Sequence, residues 1–114
     1  MGDFFISCSQ TTLKVKCNKT FCITVELGGV QAATTATVCF KLESPSCYFL
    51  PGKVKEVCRD PLPLPLDDIV EKRYCLTIQC TPSGDGYGTE MDIIAKTAAG
   101  EEYQTTILLD IDCY

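Results

Sequence analysis

Nine cysteines and no histidine in 114 residues is the feature that most constrains this chain. Nine thiols in a reducing compartment would need a metal or a redox duty to explain them. No Cys-x-x-Cys pair occurs, and no imidazole is present to complete a mixed zinc site. Cys17/Cys22 and Cys75/Cys80 are spaced so that together they offer four thiolates to zinc. The competing reading is a disulfide framework in an oxidised, secreted domain, and the rest of the chain favours it. Cys8, Cys17, Cys22, Cys47, Cys58, Cys75, Cys80 and Cys113 are then the candidates for bridges within the chain. The odd count leaves one sulfur over.

The absence of His also removes the commonest general base and the usual near-neutral switch. No Ser stands in a nucleophile motif, and no Lys or Arg is placed to activate a Cys. The pairs Asp67/Asp68, Glu101/Glu102 and Asp110/Asp112 read as solvated turns or strand faces. Asp110 and Asp112, with Asp85 or Asp92, would supply too few oxygens for a calcium site without a loop motif. The Gly84-x-Gly86-x-Gly88 run has no following helix and is not a dinucleotide fingerprint. The chain is therefore read as non-enzymatic, without cofactor or metal. A formal charge of −5 argues against nucleic acid as a partner. No apolar run is long enough to span a membrane. The partners expected are a second copy or another surface protein.

Hydrophobic alternation with period two dominates. Val30, Ala32, Thr34, Ala36, Val38, Phe40 and Leu42 line one face of a long strand, and Tyr103, Thr105, Ile107, Leu109, Ile111 and Cys113 line another. Tyr74–Cys80, Leu13–Lys16 and Ile23–Leu27 are further strands. Gly28-Gly29 and Ala98-Ala99-Gly100 read as hairpin turns, and residues 83–88 as a longer loop. Pro61, Pro63 and Pro65 confine their segment to an extended crossing or a sheet edge. Asp67–Arg73 is the single helical candidate. About seven or eight short strands without alternating helices predict one antiparallel β-sandwich, immunoglobulin-like or jelly-roll-like, over residues 1–114. Phe4, Phe5, Phe40, Tyr48, Phe49 and Tyr103 are expected mainly in its core.

The leftover thiol is assigned by alternation. Cys39 lies between Val38 and Phe40, so it points outward, where it can bridge to a neighbouring molecule. The alternative is a bridge within the chain across the outer face, to Cys22 or Cys75. A local Cys17–Cys22 bridge is compatible with the turn-like Asn-Lys-Thr-Phe between them. Cys75 and Cys80 flank unbroken strand and stand about 16 Å apart if it is straight. Asn18 opens the sequon Asn18-Lys19-Thr20 and is the glycosylation candidate. The chain opens Met1-Gly2-Asp3 without the basic and apolar regions of a signal peptide, which fits a removed leader or a surface protein that needs none.

The cysteine layout, with Pro61–Leu66 before Cys75 and Pro82 and Gly84 after Cys80, resembles the ML lipid-recognition domains, which include the dust-mite group-two allergens. The resemblance implies a secreted immunoglobulin-like sandwich that holds a lipid between its sheets. It also implies the pairs Cys8–Cys113, Cys17–Cys22 and Cys75–Cys80. Cys39, Cys47 and Cys58 have no counterpart in that layout.

Overall fold

The computed structural model describes residues 4–80 and 87–112, Tyr87 by its backbone alone. The chain folds as an all-β sandwich, and no helix occurs among the described residues. Ten strands follow in order: β1 (Phe5–Cys8), β2 (Thr12–Lys16), β3 (Thr20–Gly28), β4 (Thr34–Leu42), β5 (Cys47–Leu50), β6 (Glu56–Cys58), β7 (Leu62–Leu64), β8 (Ile69–Cys80), β9 (Tyr87–Thr97) and β10 (Glu102–Asp112). One sheet has the order β1-β3-β8-β5, and the other β2-β10-β9-β4-β6 with β7 also paired to β4. All pairings are antiparallel except that of β2 with β10.

The alternation seen in the sequence is what closes the sandwich. Ile23, Val25 and Leu27 of β3 and Tyr74, Leu76 and Ile78 of β8 face Ala36, Val38 and Phe40 of β4 and Met91, Ile93 and Ala95 of β9, all buried. Phe40 and Tyr74 meet edge-to-face across the gap, ring centroids 5.4 Å apart, a geometry that suits the quadrupoles of both rings. The β9–β10 hairpin turns where expected. Thr97 N donates to Glu101 O, and Gly100 takes a φ of 100° that a side chain would strain. Leu62–Leu64 forms the expected edge strand, with Pro63 exposed where no ladder donor is required.

Several expectations are corrected. Gly28-Gly29 does not turn a hairpin, because β3 and β4 belong to different sheets and residues 29–33 cross between them. Gly28 is needed instead for close approach. A Cβ there would lie 2.9 Å from the Asp68 carbonyl oxygen. β4 begins at Thr34 rather than Val30, and Ala32 is exposed on the crossing. Asp67–Arg73 is not helical. Pairing with β3 from Gly28↔Ile69 onward draws it into β8. Tyr103 is 46% exposed rather than core, at the hairpin end of β10. The loop expected at residues 83–88 lies outside the described residues up to Gly86.

Candidate binding surface

The disulfides set the frame for any surface this molecule presents. Three described bridges are Cys22–Cys75, Cys39–Cys58 and Cys47–Cys80, and each joins residues directly opposite on neighbouring antiparallel strands. Each therefore staples the register of one strand pair. Cys47–Cys80 is buried in the core, whereas the other two sit on outer faces. Cys17 is disulfide-bonded as well, and Cys113 lies outside the described residues. Cys22, Cys47, Cys58, Cys75, Cys80 and Cys17 thus bear out their assignment to bridges.

Cys39 does point outward, between buried Val38 and Phe40. Its assignment to a link between molecules is nonetheless wrong. β6 brings Cys58 directly opposite it, within the chain. That strand, Glu-Val-Cys, is too short to show a period in the sequence. Cys8, a bridge candidate by sequence, is instead a free, half-buried thiol on β1, an edge strand. The local pairs Cys17–Cys22 and Cys75–Cys80 do not form, because Cys22 and Cys75 are taken by each other and Cys80 by Cys47. The same bonds preclude a four-thiolate zinc site.

Asn18 is exposed at the turn between β2 and β3 with a φ of 63°. Asn tolerates this left-handed conformation, and its side chain stands open to a glycosyltransferase. The carboxylates behave as strand-face charges. Asp110 and Asp112 lie opposite Lys14 and Lys16 on β2, and Glu102 lies 3.8 Å from Lys96. Asp92 accepts a 2.8 Å hydrogen bond from the Thr106 hydroxyl. It also holds the Glu43 carboxyl above the ordinary carboxylate range, through a side-chain hydrogen bond and then by its charge. Asp85 lies outside the described residues. No cluster of metal-ligating side chains occurs among the described residues.

A groove of about 470 Å³ opens on one flank of the sandwich. β5 pairs only with Thr77–Cys80 of β8, which leaves the edge of β8 before Thr77 without a strand partner on that side among the described residues. The segment after β6, residues 59–63, forms the opposite wall. Cys22 and Cys75 have Cα atoms 4.0 Å apart, the close spacing of a non-hydrogen-bonded pair, so the Cys75 carbonyl points away from β3 and into the groove. Arg59 Nη2 donates to it at 3.1 Å. Tyr74 faces inward beside it, 5% exposed, and its hydroxyl has no hydrogen-bond partner among the described residues. Burial pushes the Tyr74 pKa up, and the nearby Arg59 charge opposes that shift. Lys72, Arg73 and Asp60 complete the charged lining, and Pro61, Leu62 and Pro63 supply an apolar wall. A second depression of about 440 Å³ on the outer face of the other sheet surrounds Leu108, which is 51% exposed beside Gly88.

Sequence reasoning passed over Arg59 and Tyr74. Tyr74 reads as one more inward residue of an alternating strand. Only the tertiary structure shows that its hydroxyl has no partner among the described residues and that Tyr74 shares a groove with Arg59.

No family model and no curated protein matches the chain. Solved structures match in fold. The sporulation control protein Spo0M from Bacillus subtilis aligns over 100% of this chain with a TM-score of 0.65 and 11% identity. This chain spans about half of it, 51% of its length. A cohesin in a type I cohesin–dockerin complex from Clostridium thermocellum aligns over 100% of this chain and 97% of its own, TM-score 0.55, identity 9%. The apo Calx CBD1 domain aligns over 96% and 97%, TM-score 0.54, identity 16%. At these identities the likeness is one of β-sandwich architecture.

Proposed function

We propose that this protein is a non-enzymatic, extracellular structural module that assembles with copies of itself or with another surface protein. The observation that carries this reading is the placement of the disulfides. Each described bridge fixes a strand register rather than closing a surface loop. Such a framework persists in an oxidising compartment and resists unfolding there. Cys8 then takes the role first assigned to Cys39. Its thiol lies on an edge strand, half-buried against the core on the side of Ile6, so a link to a second molecule requires the end of β1 to yield. Leu66 and Ile69, 53% and 58% exposed, add an apolar contact at the start of β8.

Non-reducing against reducing gel electrophoresis of the secreted protein tests this reading. Covalent multimers that vanish on reduction and in Cys8→Ser are expected. A protein that stays monomeric under oxidising conditions, at any concentration, overturns covalent self-assembly.

The groove beside β8 supports a second reading, a soluble module that binds one partner. The cohesin is a β-sandwich whose structure was solved with a dockerin, so the architecture is compatible with such a role. A clean monomer that retains a partner on isolation is the expected outcome under this reading.

A further inference from the structure

We propose that the groove between residues 59–63 and the open edge of β8 binds a carboxylate carried on an apolar or extended body. The proposal stands independently of self-assembly. Four observations converge on it.

The first is the Tyr74 hydroxyl, buried and without a partner among the described residues. A buried hydroxyl left unpaired costs about 1–3 kcal/mol, and a ligand oxygen seated in the groove that Tyr74 lines would recover it. The second is Arg59, which lines the same groove as Tyr74 and is anchored there on the neighbouring Cys75 carbonyl. Its guanidinium has five N–H donors, and the structure assigns it one hydrogen bond, to the Cys75 carbonyl. The remaining donors form a planar fork that matches a carboxylate. The third is local charge. Arg59, Lys72 and Arg73 oppose Asp60 alone in the lining, on a chain whose formal net charge is −5. None of these basic side chains takes part in an ion pair among the described residues. The fourth is the wall of Pro61, Leu62 and Pro63, which has nothing to offer a bare inorganic ion but suits an apolar or extended body. A volume of about 470 Å³ falls in the range of small-ligand sites, roughly 300–1,000 Å³. Asp60 works against a doubly charged phosphate more than against a singly charged carboxylate.

The test is a titration of the ¹⁵N-labelled, disulfide-intact protein with hexanoate, followed by amide shifts. Hexanamide serves as the neutral control and inorganic phosphate as the bare oxyanion. Saturable hexanoate shifts at residues 59–63 and 72–75 are expected, with hexanamide silent and phosphate weaker. Arg59→Lys keeps the charge but loses the fork, and should weaken hexanoate binding about tenfold. Tyr74→Phe leaves the ring packed and the fold intact, and should weaken binding about tenfold through loss of the donor alone. Absent or non-saturable shifts, equal binding by hexanamide, or unchanged affinity in Tyr74→Phe overturn the proposal. Phosphate binding more tightly than hexanoate overturns the assignment to a carboxylate.

Discussion

Two residues have side-chain environments legible in neither composition nor period. Tyr74 is placed inward by alternation, as any apolar residue of β8 would be, yet its hydroxyl finds no partner among the described residues. Replacing it with Phe should therefore raise stability by about 1 kcal/mol, read as a higher urea midpoint, even as ligand binding weakens. A lower midpoint would mean that the hydroxyl is satisfied in solution. Glu43 behaves differently. Its pKa is raised, by the hydrogen bond to Asp92 and then by the Asp92 charge, with Lys41 pulling the other way. A carboxyl raised in the folded state stabilises below its ordinary titration range and loses that contribution as pH climbs through the raised value. Glu43→Gln keeps a hydrogen-bond donor and removes the repulsion. Its melting temperature should match the parent in acid and exceed it at neutral pH. A difference that does not grow with pH would show that the pair is not coupled in solution.

At the scale of elements, the bridges differ in what they restrain. Cys22–Cys75 spans 53 residues, Cys47–Cys80 spans 33 and Cys39–Cys58 spans 19. Loop-closure entropy gives about 4, 4 and 3 kcal/mol respectively. Cys47–Cys80 is also buried, so replacing both sulfurs with Ala adds a cavity cost of about 1 kcal/mol or more. Paired Ala substitutions should therefore destabilise in the order Cys47/Cys80, Cys22/Cys75, Cys39/Cys58, as read by chemical denaturation. Equal losses would mean that the buried pair contributes no packing. The two glycine turns expected from sequence separate at this scale too. Gly100→Ala forces a side chain into a φ of 100° and should cost about 1 kcal/mol. Gly28→Ala meets the Asp68 backbone and the Phe5 and Ile69 side chains, and should cost more, because a rigid backbone cannot yield.

For the molecule as a whole, the described bridges together restrict the unfolded chain by about 11 kcal/mol. Net stabilities of domains are typically about 5–15 kcal/mol. Full reduction should unfold the protein or bring it to the edge of unfolding, seen as loss of the cooperative melt in excess reductant. A melting temperature unmoved by reductant would show that the sandwich core suffices alone. That core is continuous, with both sheets contributing fully buried side chains such as Ile78, Phe49, Val38 and Ile93.

The sequence by itself determined the all-β class, the inward and outward faces of β4, β8 and β10, the Ala98–Gly100 turn and the proline edge. Each follows from local causes: period-two burial, a positive φ, a missing N–H. It also favoured oxidised cysteines over a four-thiolate zinc site, since nine thiols with no His in a β-patterned chain read as a disulfide framework. Only the tertiary structure decided which strands share a sheet, and hence that Gly28-Gly29 is a crossing and that Asp67–Arg73 joins a strand. It alone decided that Cys39 meets Cys58 and leaves Cys8 reduced, and that Arg59 comes to rest beside Tyr74. These are long-range pairings between segments 15 or more residues apart. Nothing local distinguishes one outward sulfur or one inward tyrosine from another until a partner strand fixes the register.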